Sequence, residues 1–335
     1  MSLTDFIKEA RPFIEHELKH VVDTVDREQY PGLHEMLAYH MGWEGDDAGE
    51  KAQGKRIRPV LVLLATSAAC KDWKKALPAS AAIELIHNFS LIHDDIEDKS
   101  EYRHGRKTVW AKWGEPQAIN AGDCMYSLAY RSLVQSPSSP ENLVTAISRL
   151  EETCIRLTKG QYLDMAFETE SQVTAEMYWN MVGGKTAALL ACSAVIGAIV
   201  TGVDTKTIDA LQVFAWNLGL AFQAQDDWLG IWGDAALMGK STESDLMSGK
   251  KSLPILLGLS SSRKFREHWA KRPFRSEEIS ELAQLLIDEG IQKTVEIETS
   301  QLTTKAKTAL DSMPCQNEAV RDLHELADLL LVRKK

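Results

Sequence analysis

The sequence predicts an all-α protein. Apolar residues recur at helical spacing in nearly every long segment, and no segment sustains the alternation of a strand. Clusters of Gly, Pro and Ser punctuate the pattern into separate helices. Apolar residues make up 44% of the 335-residue chain, enough for a large core. The expectation is a single helical domain over residues 1–335.

The elements follow from periodicity. Phe6, Ile7, Phe13, Ile14, Leu18 and Val21 mark the apolar face of a first helix. Helical runs follow over 59–70, 79–97, 116–134, 141–167, 174–200, 205–230 and 253–259, with two or three more helices from Ser276 onward. Between them lie a polar, Gly-rich loop over 42–54, a Ser/Pro turn over 136–140 and a long polar loop over 233–249.

The formal net charge is −10, with the acids spread along the chain, so the basic footprint of a nucleic-acid-binding protein is missing. Five scattered cysteines without CxxC spacing read as buried thiols in a reducing compartment rather than as disulfides or zinc ligands. The first 25 residues are charged and amphipathic, unlike a secretory leader. The most apolar stretch, 186–200, is too short and Ala-rich to span a bilayer. The expected location is the cytoplasm.

Two helices carry acids where an apolar helix should not. The run over 82–98 ends in Asp94, Asp95, Glu97 and Asp98. Asp94 and Asp98, four apart, share a face, and His87 lies two turns earlier on it. Aligned carboxylates repel, and a divalent cation is their natural partner. The run over 205–230 contains Gln223, Asp226 and Asp227, with Gln223 on the face of Asp226. One acidic pair alone is a solvated helix end. Two pairs, each behind a long apolar run, point to metal, and ligands that are all oxygen favour Mg²⁺ over zinc.

Basic groups complete the pattern: Lys55, Arg56 and Arg58 before a helix, Arg103, His104, Arg106 and Lys107 after the first acidic helix, Lys185 alone in an apolar run, and Lys240, Lys250 and Lys251 after the second. Arg56, Lys107 and Lys251 are read as plain surface charges. Acidic pairs together with separate cations describe a polyphosphate clamped through metal ions.

In order, GKRIRP (54–59), HDDIED (93–98), GKT (184–186), FQAQDD (222–227) and GKKSLP (249–254) resemble the motifs of the trans-prenyl diphosphate synthases, the family of farnesyl and geranylgeranyl diphosphate synthases. The resemblance implies the isoprenoid synthase fold, a helical bundle around a deep central cavity, commonly a homodimer. It assigns Mg²⁺, three ions with bound diphosphate, to Asp94, Asp98 and Asp226, supported by Asp95 and Asp227. Lys185, Thr186, Gln223, Lys240, Lys250 and Arg103 would hold an allylic diphosphate. Lys55, Arg58 and His87 would hold isopentenyl diphosphate. His104 stands where the family commonly has Arg, so either His104 or Arg106 is expected at the isopentenyl diphosphate. The second acidic motif also ends in Gly230, where many members have a third Asp.

The implied activity is head-to-tail elongation of an all-trans prenyl chain. Phe89 and Ser90, five and four residues before Asp94, are expected to set the cavity floor. One bulky and one small residue there point to a twenty-carbon product, geranylgeranyl diphosphate, with farnesyl diphosphate next. The alternatives are a class I terpene synthase that cyclises a prenyl diphosphate without isopentenyl diphosphate, and a non-catalytic partner subunit of a synthase. Retention of Lys55, Arg58 and His87 argues against the first, and retention of both acidic pairs against the second.

Overall fold

The computed structural model describes residues 2–233 and 244–331. The helices in order are α1 (Leu3–Val22), α2 (Pro31–His40), α3 (Glu50–Gln53), α4 (Ile57–Ala68), α5 (Leu77–Glu97), α6 (Val109–Trp113), α7 (Glu115–Val134), α8 (Pro140–Thr169), α9 (Ala175–Val182), α10 (Ala188–Val200) and α11 (Thr205–Trp232). Beyond the long polar loop come α12 (Ser244–Ser248), α13 (Leu253–Ser261), α14 (Arg263–Trp269), α15 (Ser276–Asp288), α16 (Ile291–Asp311) and α17 (Glu318–Leu331). The expected continuous helix over 174–200 is broken by a π-helical turn, Gly183–Ala187. Among the described residues the strands are β1 (Tyr102–Arg103) and β2 (Arg106–Lys107), an antiparallel hairpin.

The chain divides into two compact units. The first comprises residues 1–152, 192–209 and 313–323, and the second 153–191, 210–312 and 324–335.

In the first unit, α1 starts on a reciprocal cap, the Ser2 hydroxyl accepting from Asp5 N–H while Asp5 accepts from Ser2 N–H. Phe6, Ala10, Ile14, Leu18 and Val21 then fall on its buried stripe. Phe13, expected on that stripe, is 40% exposed and packs edge-on against Trp73 at 5.6 Å. Helix α5 packs closely on α7, which presents Ala118, Ala121, Gly122 and Ala129. A Cβ on Gly122 would overlap the His93 ring, so glycine is required at that contact. Contrary to the reading of all five cysteines as thiols, Cys70 and Cys315 are joined in a disulfide, while Cys154 and Cys192 are buried and lie outside it.

The second unit is built on an apolar cluster that includes Phe167, Tyr178, Trp228, Phe265, Trp269 and Leu286. Each large side chain removed from water there contributes about 1.5–3 kcal/mol. The stretch Ala175–Val200 is long and apolar enough to cross a bilayer, but 83% of its apolar window is buried in protein. That burial is the pattern of a core helix.

Candidate active site

In the first unit, the C-terminal end of α5 gathers Asp94, Asp95, Glu97 and Asp98, with no basic residue in its last turn. Acids at the negative end of a helix dipole are unfavourable, so this arrangement sacrifices stability and calls for a cation from elsewhere. Asp94 is half-buried and Asp98 exposed, one turn apart. Asp95 faces the other way. It is 2% exposed and gripped by Arg103, Nη2 to Oδ1 at 2.8 Å and Nε to Oδ1 and Oδ2 at 3.0 and 3.1 Å. Burial raises its carboxyl above the usual range against the pull of Arg103. Asp95, expected beside the metal, and Arg103, expected at a diphosphate, are paired with each other in this structure.

The hairpin β1–β2 aims Arg103 at α5. Its two turn residues, His104 and Gly105, have φ of 53° and 81°, as a two-residue hairpin turn demands. His104 is exposed on that turn. Arg106 is 9% exposed and donates to the carbonyls of Asp46, Tyr39 and Glu44 at 2.9, 2.8 and 2.7 Å while stacking on the Tyr39 ring. Through these carbonyls it ties α2 to the 42–54 loop.

Arg56, read as a surface charge, is 4% exposed. It donates to Glu15 at 2.7 Å, Glu84 at 2.9 Å and Met41 O at 3.0 Å. Two residues on, Arg58 meets a different partner: its Nη1 lies 3.1 Å from His87 Nε2, and its Nε is enclosed without a hydrogen bond. Burial lowers the Arg58 guanidinium and, together with Arg58 itself, holds His87 well below the ordinary imidazole value. A cation set against a neutral ring, rather than a carboxylate, is prepared for an incoming anion. Lys55 is exposed beside it in sequence.

Phe89 lies edge-on to His93 at 4.8 Å and to Tyr126 of α7 at 5.2 Å, and Tyr126 continues to Tyr130 at 5.1 Å. Ser90 returns its hydroxyl to His87 O at 2.8 Å. Phe89 therefore belongs to an aromatic row, of which the α7 tyrosines were not foreseen.

In the second unit, α11 places Asp226 and Asp227 near its C-terminal end, again with no base in the last turn. Asp227 is 3% exposed and accepts from Tyr178 Oη at 2.6 Å, Leu253 N at 2.9 Å and Gln223 Nε2 at 3.0 Å. Gln223 in turn accepts from Thr186 Oγ1 at 3.0 Å. Asp227 thus pins α9, α11 and α13 together, and Asp226 is the half-buried acid of the pair. Lys185 sits in the π-helical turn and is ion-paired with Asp164 of α8. Gly160 permits that approach, because a Cβ there would overlap the Lys185 backbone. A π-turn at such a point is a common mark of a functional site.

Protein crowding pulls the Lys250 ammonium down, but Asp227, Asp164, Asp245 and Asp226 together hold it above its ordinary value. That is a region of strong negative potential. Lys251, read as a surface charge, donates to the carbonyls of Phe167 and Glu168. Lys240 lies outside the described residues.

Sequence reasoning missed Asp164, Tyr178 and Glu84. Gly160 and the polar Gln161 and Asp164 on a half-buried helix were a usable signal. Nothing local marks Tyr178 or Glu84, whose partners are 49 and 28 residues away.

These half-sites can be set beside known proteins. A family model described as polyprenyl synthetase matches residues 48–286. The chain belongs to the polyprenyl synthetase family. This synthase is 35% identical over 335 residues to a geranylgeranyl pyrophosphate synthase of Geoglobus acetivorans, covering 99% of both chains. It is 41% identical over 249 residues to a (2E,6E)-farnesyl diphosphate synthase of Mycobacterium tuberculosis, covering 73% of this chain and 67% of that one. Among solved structures, a polyprenyl synthetase from Streptomyces coelicolor A3(2) superposes with a TM-score of 0.88 at 35% identity, over 99% of this chain and 100% of that one. The all-α isoprenoid synthase fold and the prenyltransferase class expected from the motifs are thereby established.

Proposed function

We propose that this synthase condenses isopentenyl diphosphate with an allylic prenyl diphosphate, and that geranylgeranyl diphosphate is its main product, farnesyl diphosphate the next. The single observation that carries the elongating reading is Arg58, a half-buried guanidinium against the neutral His87 ring. An enzyme that only cyclised one prenyl diphosphate would have no use for a second anion site. Relatives named as geranylgeranyl and farnesyl diphosphate synthases support the product range.

The donor set fits Mg²⁺. Among the described residues no group of three or more His, Cys, Asp or Glu side chains gathers to cage a metal. Mg²⁺ is commonly held by one or two carboxylates with the rest of its shell from phosphate and water, and α5 offers two in Asp94 and Asp98 while α11 offers one in Asp226. Bound there, three such ions would supply charge neutralisation on the leaving diphosphate. Lys185, Thr186, Gln223 and Lys250 would bind and orient that diphosphate, and Lys240 is proposed with them from sequence alone. Asp164 keeps Lys185 in place before the ligand arrives.

Loss of the allylic C–O bond sends its electron pair onto the diphosphate oxygen. The isopentenyl double bond, positioned through Lys55, Arg58 and His87 with His104 at the rim, attacks the allylic carbon. The resulting cation loses a proton to an oxygen of the departed diphosphate and leaves the new double bond. Phe89, Tyr126 and Tyr130 offer an apolar wall for the growing tail. A homodimer is part of the proposal. Val144, Ile155, Tyr162 and Met165 stand 64, 50, 70 and 43% exposed along α8, a stripe suited to a second copy.

The test is incubation with Mg²⁺, radiolabelled isopentenyl diphosphate and ten-, fifteen- and twenty-carbon allylic primers. Label in a twenty-carbon diphosphate is expected. Unlabelled cyclic hydrocarbon would overturn the reading.

A further inference from the structure

His40 is the last residue of α2, and the carbonyls on either side of it are each held by a buried arginine. Arg106 Nη1 donates to Tyr39 O at 2.8 Å and Arg56 Nη2 to Met41 O at 3.0 Å. Asn88, one residue past His87, is bound to Glu84 O and Oε1 at 2.7 and 3.1 Å. The backbone around His40 is thus set, yet its Nε2 is enclosed and has no hydrogen-bond partner. An enclosed nitrogen without a hydrogen bond is a standing cost that a folded chain normally avoids.

The groups facing this ring are Arg103, Arg56 and Arg106, with His87 close by. Arg56 is matched by Glu15 and Glu84, and Arg103 by Asp95. Arg58, which pairs with His87, has Glu84 acting on it only at a distance and forms no ion pair, and its Nε is likewise enclosed and unpartnered. Two polar atoms left unmet among cations have the same remedy, which is an anion.

We propose that His40 is a substrate-binding residue of the isopentenyl diphosphate site, taking up a proton at Nε2 and donating it to a phosphate oxygen. This rests on the reading of Arg58 and His87 as that site. Without ligand, burial and then the arginines hold the imidazole at about 3, so it is neutral and adds nothing to the repulsion among them. A diphosphate reverses the sign of the local potential and favours imidazolium. The proton comes from solvent, adds to the Nε2 lone pair and is released when the ligand leaves. No covalent bond changes.

Steady-state kinetics of His40→Gln, beside Arg58→Gln, test this. The expected result is a KM for isopentenyl diphosphate raised tenfold or more in His40→Gln, with the allylic KM within twofold of wild type. Titration calorimetry with isopentenyl diphosphate, in two buffers of different ionisation enthalpy, should show proton uptake in wild type that is smaller by up to one proton in His40→Gln. If Arg58→Gln raises that KM while His40→Gln alters neither KM nor proton uptake, His40 is not in the site. If neither variant alters KM, the location of the site is wrong and the proposal falls with it. Should His40→Gln fail to fold, the ¹⁵N shifts of the wild-type ring on adding isopentenyl diphosphate decide. A neutral pattern throughout would overturn the proposal.

Discussion

Arg56→Leu isolates the least expected feature of the first unit. The guanidinium and Glu84 have side chains 2% and 6% exposed, and Glu15 is 15% exposed, so solvent screens the network little. Removing the cation leaves Glu84 buried without its partner, which typically costs about 3–5 kcal/mol. The Met41 carbonyl loses a donor as well, adding roughly 1 kcal/mol. The expected loss is therefore about 4–6 kcal/mol, measured as the shift in urea-unfolding free energy against wild type. Arg56→Leu combined with Glu84→Leu should recover a large part of it, because the stranded charge is gone. Arg56→Lys should recover little, since a single ammonium cannot reach Glu15, Glu84 and Met41 O as the fork does. A loss below about 1 kcal/mol for Arg56→Leu would refute the argument that this buried network organises the loop and α4.

Asp94→Asn and Asp226→Asn are each expected to lower kcat by several orders of magnitude while Glu97→Gln, an exposed neighbour, leaves it near wild type. Initial rates at saturating Mg²⁺ check this, and near-normal turnover in Asp226→Asn would sink the metal assignment. Phe89→Ala and Tyr126→Ala should both lengthen the prenyl product and Ser90→Phe should shorten it, read by chromatography of the dephosphorylated alcohols. An unchanged distribution in all three would place the floor elsewhere. Asp164→Asn should lower kcat/KM for the allylic diphosphate more than for isopentenyl diphosphate, because it releases Lys185 from its set position. Equal effects on both would contradict that role. Burial, and then the charge of Asp227, push the Tyr178 hydroxyl well above its ordinary value. An unfolded tyrosine ionises near pH 10, so this contribution to stability is whole below pH 10 and is lost as pH rises toward the raised value. Unfolding free energies from pH 8 to 11 should fall more steeply in wild type than in Tyr178→Phe, and parallel curves would refute the assignment.

The helices were legible because their apolar spacing is local, and so was the pairing of Asp94 with Asp98, which follows from four-residue helical geometry. The order of the five motifs was enough to indicate the family, and Arg58 and His87 were named from sequence and lie 3.1 Å apart in the structure. Which member of each acidic pair turns inward was not legible. Asp94 and Asp95 are adjacent letters of the same chemistry, and only the hairpin that delivers Arg103 and the packing that delivers Tyr178 and Leu253 bury Asp95 and Asp227. The same limit explains Arg56 and Arg106, whose partners lie 15 to 67 residues away. Arg103, His104, Arg106 and Lys107 stand together in sequence as one basic cluster, yet each meets a different environment. A charged residue's function depends on what tertiary folding sets against it. Sequence by itself determined the helices and the family, because both rest on local spacing and on the order of short motifs. Tertiary structure decided which charges are held inside the protein and which are left for a ligand.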